Sequence, residues 1–147
     1  MVTIEIANDN EFPINAVRLR KAVRSILADA LITRGEISIA IVDDATMHDL
    51  NRRFLQHDYP TDVLSFALEQ EGDLLDGELI VSHEYAAREA ARYAWPPDDE
   101  LLLYAIHGAL HLVGYDDLNP AAKREMRAAE AKYLALFGLQ GRYDEGE

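Results

Sequence analysis

The chain has no cysteine. Disulfides and thiolate zinc sites are thereby excluded, and the absence fits a reducing compartment. Long hydrophobic runs are missing too, and no stretch approaches the length that a bilayer-spanning helix needs. The opening Met1-Val2-Thr3-Ile4-Glu5-Ile6 lacks the basic region and apolar segment of an export signal. The expectation is a soluble, cytoplasmic protein with no membrane role. No repeat, low-complexity tract or linker stands out. Positive charge is scarce: 14 Lys and Arg stand against 27 Asp and Glu, a net charge of −13. That balance disfavours non-specific nucleic-acid binding, which works by neutralising phosphates, and no DNA partner is expected. Net charge is not local charge, however. The acids crowd residues 69–78 and the tail 144–147. The bases cluster at Arg18, Arg20, Lys21 and Arg24, and again at Arg52 and Arg53.

What is present suffices for one domain with a real core: 147 residues, 49 % of them apolar. Val2, Ile4 and Ile6 alternate with polar residues as in a half-buried strand. Pro13 is expected to open a helix with Ala16, Leu19, Val23, Ile26, Leu27 and Ala30 as its apolar stripe, its basic residues forming a solvated face. Residues 37–42 read as a central strand. Asp43 or Asp44 caps a helix with Met47, Leu50 and Phe54 inward. A polar loop holds His57, and His48 and His57 are expected at the surface. Residues 63–68 form a third strand, an acidic loop with Gly72 and Gly77 follows, and residues 78–81 form a fourth strand antiparallel to the third. Ser82 caps a helix running to about Ala94, with His83 at the surface. Trp95-Pro96-Pro97 breaks the chain and Asp98 caps the next helix. Asn119-Pro120 starts the last, with Met126, Tyr133, Leu134 and Phe137 as its core face. The fold class expected is α+β: one domain over 1–147, a small mixed four-stranded sheet packed with about five helices, and a frayed tail at 140–147.

The distinctive stretch is His107-Gly108-Ala109-Leu110-His111-Leu112-Val113-Gly114-Tyr115-Asp116-Asp117, late in an apolar run that begins at Leu101. On a helix, His107 and His111 share a face about one turn apart, so both rings can address one ion. Gly114 suits a helix end, because glycine enters the left-handed region without steric penalty. The chain can then return Asp117 toward the rings. Two readings stand: two core histidines bonded to backbone, or a His/His/Asp metal site with an open position. Two details favour the metal. Gly108 costs a helix interior about 1 kcal/mol against alanine, so something approaches closely there. A carboxylate also follows the turn, which a purely structural helix end does not need.

Such a donor set suits Zn²⁺ but also Fe²⁺, Mn²⁺ or Ni²⁺. A metal held this way polarises a carbonyl or phosphoryl oxygen and lowers the pKa of its water. Asp117 makes the centre less electrophilic than three imidazoles would. The zinc-peptidase helix reads H-E-x-x-H, with the glutamate as general base, and here that position is Gly108. Peptide hydrolysis by that route is therefore disfavoured, whereas metal-assisted phosphodiester cleavage makes no such demand.

His107-Gly108-Ala109-Leu110-His111-Leu112-Val113-Gly114-Tyr115-Asp116 resembles the signature of the YbeY family of bacterial ribosomal-RNA maturation factors. So do Leu50-Asn51 through Asp58 to Thr61-Asp62-Val63-Leu64-Ser65-Phe66, and Gly77-Glu78-Leu79-Ile80-Val81 ahead of Ala86-Ala87-Arg88-Glu89-Ala90. The resemblance implies a cytoplasmic, metal-dependent, single-strand-specific endoribonuclease. It would act in 3′-end maturation of small-subunit ribosomal RNA and in ribosome quality control, with ribosomal RNA and the small subunit or its proteins as partners. It implies one zinc per chain held at His107, His111 and position 117, on a helix like that of zinc proteases. Two positions depart from the family. Its third ligand is normally histidine, where this chain has Asp117; Asp116 matches the aspartate before it, a neighbour of the ligands or a turn residue. Leu55 replaces an arginine implicated in catalysis or RNA binding, and Arg52, one turn earlier on the same face, is the candidate substitute for holding substrate. Both departures give weight to an alternative, a ribosome-assembly factor with weak or no nuclease activity. A metallopeptidase is the third reading.

Overall fold

The computed structural model describes residues 1–55 and 62–140. Its elements follow the expected order: β1 (Val2–Ala7), α1 (Ala16–Asp29), β2 (Gly35–Val42), α2 (Asp44–Leu55), β3 (Val63–Glu71), β4 (Leu74–Ser82), α3 (His83–Tyr93), α4 (Pro97–Leu112) and α5 (Pro120–Ala135). The sheet order is β1-β2-β4-β3. β1 and β4 run parallel to β2, and β3 runs antiparallel to β4. The expected mixed four-stranded sheet with five helices is therefore present. His57, Thr61, the side chain of Leu55 and tail residues 141–147 lie outside the described residues.

Side-chain alternation splits the sheet into two faces. Ile37, Ile39 and Ile41 of β2 and Leu79 and Val81 of β4 enter the main core, under α1, α3, α4 and α5. Ala40, Val42 and Ile80 point the other way and meet Met47 and Leu50 of α2 with Leu64 and Phe66 of β3. Helix α4 lies at the centre of the main core, packing on α1, α3, α5, β3 and β4. That is why residues 101–112 read as a nearly continuous apolar run: a helix covered on all sides is apolar all round. Among the described residues, no helix is long and apolar enough to cross a membrane.

Several local expectations need correction. Helix α1 starts at Ala16, not Pro13, because the Asn15 side chain accepts from the Arg18 N–H. Ala30 is exposed and Ala22 takes its place in the core. The basic face of α1 is not simply solvated. Arg20 and Arg24 donate to the carbonyls of Ile4 and Val2 in edge strand β1, and Arg18 pairs with Asp98 and Asp99 at the start of α4. Asp98 therefore ties α1 to α4 instead of capping, and Pro96 is the N-cap residue. Phe54 is 61 % exposed, not inward, though its ring meets Phe66 edge-on. The acidic stretch is not a loop: β3 and β4 pair through Glu69↔Asp76 to Glu71↔Leu74. His83 is half-buried and stacks on Phe12, ring centroids 4.5 Å apart. His48 is half-buried too.

Candidate metal centre

Helix α4 ends as the sequence suggests. Gly114 takes φ +108°, its N–H donates to His111 O at 3.1 Å, and the Tyr115 N–H donates to Leu110 O at 3.0 Å. This crossed pair of bonds closes a helix through a left-handed residue. The chain reverses, and Asp116 accepts the Leu118 N–H at 3.2 Å, which makes it a turn residue. Asn119 then caps α5, accepting from the Ala122 N–H at 2.9 Å, with Pro120 in the first turn.

The reversal returns Asp117 to the histidines. His107 Nε2 and His111 Nε2 are 3.0 Å apart, and His107 Nε2 is 3.8 Å from Asp117 Oδ2. The donor atoms of His107, His111 and Asp117 all lie within 4.8 Å of one another. A tetrahedral ion with bonds of about 2.0–2.1 Å spaces its ligands by about 3.4 Å, a value that 3.0 and 3.8 Å bracket. Two imidazoles and a carboxylate are also donors that a divalent transition metal accepts. The three residues can form a metal site.

The residue that sequence reasoning missed is Glu130. Its side chain is 2 % exposed, and Oε2 lies 2.5 Å from His107 Nδ1. A carboxylate on Nδ1 fixes the tautomer, turning the Nε2 lone pair toward the point where His111 and Asp117 converge. The signal was faint but present: Glu130 falls on the α5 stripe between Met126 and Leu134, where a carboxylate needs a reason to be buried. Burial alone would lower the His107 pKa. The Glu130 hydrogen bond and charge, with Asp62 and Asp117, outweigh it and hold the imidazolium above its usual range.

Gly108 is crowded by side chains of the sheet. A Cβ there would meet Leu79 Cδ2, Ser65 Oγ and Val63 Cγ2, each at 2.9 Å. Ser65 Oγ also donates to Gly108 O at 3.1 Å. The peptidase base thus has no room at this position. The stretches around Asp62–Phe66 and Gly77–Val81 are the strands on which the histidine helix rests. His107 and Asp117 line a polar cavity of about 450 Å³ that also includes Asp62, Arg92, Arg127 and Glu130. Arg52 sits on the exposed side of α2, 3.0 Å from Asp49, and is not among the described residues lining that cavity.

The family model for endoribonuclease YbeY matches residues 5–138. This chain belongs to the YbeY family. An endoribonuclease YbeY of Rhodopirellula baltica is 49 % identical over 109 residues, which cover 73 % of this chain and 56 % of that protein. The endoribonuclease YbeY of Chlorobium phaeovibrioides is 36 % identical over 137 residues, covering 93 % of this chain and 92 % of the relative. A Thermotoga maritima protein solved in solution shares the fold with a TM-score of 0.59 and 27 % identity, covering 90 % of this chain and 86 % of that one. YbeY membership supports a hydrolase acting on RNA, and the His/His/Asp group is where a YbeY protein with this sequence can place a metal.

Proposed function

We propose that this chain is a zinc-dependent endoribonuclease that cuts single-stranded RNA in the cytoplasm. Its role is 3′-end maturation of small-subunit ribosomal RNA and ribosome quality control, with the small subunit or its proteins as partners. The observation that carries this reading is the convergence of His107, His111 and Asp117 donors within 4.8 Å, beside a polar cavity, in a YbeY chain. These three residues would hold the ion, which when bound supplies Lewis acidity to a phosphodiester oxygen. Glu130 keeps His107 Nδ1 protonated and Nε2 available. Arg52, well exposed on α2, is proposed to meet the RNA backbone as it crosses that face.

Cleavage of single-stranded RNA by zinc-loaded protein, abolished in His111→Ala, is the expected result. Duplex RNA should resist. Unchanged RNA binding and cleavage in Arg52→Ala would remove Arg52 from the account. A second reading, an assembly factor that binds without cutting, is favoured by Asp117, a carboxylate 44 % exposed at the position where the family resemblance implies histidine. Assembly function that persists when cleavage is lost would establish that reading instead.

A further inference from the structure

The cavity beside His107 and Asp117 has a guanidinium in each of two walls, Arg92 near the end of α3 and Arg127 on α5. We infer that Arg92 and Arg127 clamp the RNA phosphates next to the reacting one, and that Tyr93 stacks a neighbouring base. This rests on the endoribonuclease reading above and names how its substrate is held.

Three features point this way. A guanidinium presents a planar fork of donors that matches phosphate oxygens. Arg92 donates through Nη1 to both carboxylate oxygens of Glu89, at 3.2 and 3.0 Å, and lies 5.4 Å over the Tyr93 ring, so a cation and an aromatic face form one surface on the cavity wall. Single-stranded RNA offers phosphates to the first and unstacked bases to the second. Arg127 enters the same cavity from α5, its Nη1 3.5 Å from Glu130 Oε1. The charges explain why a chain this acidic can accept RNA here. Asp62, Glu89, Asp117 and Glu130 share the cavity with the two arginines. A divalent ion held by His107, His111 and Asp117 would offset the remaining negative charge. Arg52, outside the lining, cannot supply this clamp from where it stands.

The test is fluorescence anisotropy with a short mixed-sequence single strand of 2′-O-methyl RNA, which binds without being cut. Zinc-loaded wild type is run beside Arg92→Ala, Tyr93→Ala, Arg127→Ala and Arg127→Lys, with zinc content measured in each. Zinc should be retained and each arginine-to-alanine change should weaken Kd about tenfold. Tyr93→Ala should weaken binding about fivefold or more. The slope of log affinity against log salt should shrink by about 0.7 per arginine removed. Lysine at 127 should restore the slope but not the full affinity. Unchanged Kd and slope with zinc retained overturns the clamp. So does zinc loss in Arg127→Ala alongside wild-type binding in Arg92→Ala, because Arg127 would then act only through Glu130. Wild type that neither binds nor cuts single-stranded RNA overturns the endoribonuclease reading itself; wild type that cuts, with variants that match it, overturns the clamp alone.

Discussion

Replacing Gly108 by alanine separates a helix position reserved for packing from one emptied of a catalytic base. Alanine should favour the helix by about 1 kcal/mol. Against that, its methyl would meet Leu79, Ser65 and Val63, each at 2.9 Å. None yields cheaply. Leu79 is fully buried, and Val63 is β-branched and stiff. Ser65 would have to give up its bond to Gly108 O. Overpacking of this kind costs about 1–3 kcal/mol, and three simultaneous contacts place it in the upper half of that range. The net expectation is a loss of about 1–2 kcal/mol, read as a lower urea midpoint at unchanged m-value and a Tm lower by about 3 °C per kcal/mol. Zinc affinity should fall as well, since α4 must move off β3 and β4 with His107 on it. Gly108→Glu should be worse and gain no peptidase activity. A Gly108→Ala protein as stable as wild type, or more so, would refute the packing argument.

Glu130→Gln keeps the shape but removes the charge on His107 Nδ1; zinc affinity in chelator competition should drop about 10–100-fold with the fold intact. The pH dependence of the metal-free protein follows from His107. Its folded pKa lies above the ordinary 6.5, so the stabilisation is complete below that value and is lost as pH rises through the folded one. Denaturation midpoints of metal-free wild type should fall over that window, and those of Glu130→Gln should not. Arg18→Ala removes the ties from α1 to Asp98 and Asp99, and about 1–2 kcal/mol of stability should go with them in urea titration. Asp73, held down to about 2 by Arg34 and Thr33 on an exposed turn, contributes fully above the ordinary carboxylate value of 3.8 and loses this progressively as pH falls through about 2. Asp73→Asn should therefore differ from wild type near neutrality and converge with it in strong acid.

The element order was legible because each boundary carried its own chemistry. Ser82 and Asn119 cap, Pro120 fits a first turn, and Gly114 turns left-handed. The His/His/Asp grouping was legible for the same reason, since helix spacing and one glycine are local facts. What the sequence does not display depends on partners distant along the chain. The carboxylates of β3 and β4 looked like a loop, yet strand pairing fixes the backbone while the charges face water. Phe54 looked inward by period, but the smaller core between α2 and the sheet takes Met47 and Leu50 and leaves the ring outside. Arg20 and Arg24 looked merely solvated, because the β1 carbonyls that receive them lie about 20 residues away. Glu130 could be matched to His107 only once α5 was folded back on α4.

The central claim is that Asp117 completes a working metal site with His107 and His111. Elemental analysis of metal per chain tests it most directly, on protein purified without a chelator or a histidine tag, for wild type, Asp117→Ala and Asp117→His. The account predicts near-stoichiometric zinc in wild type and in the histidine variant, and its loss in the alanine variant. No metal in wild type, with zinc appearing only in Asp117→His, would contradict it and move the binding-factor reading to first place.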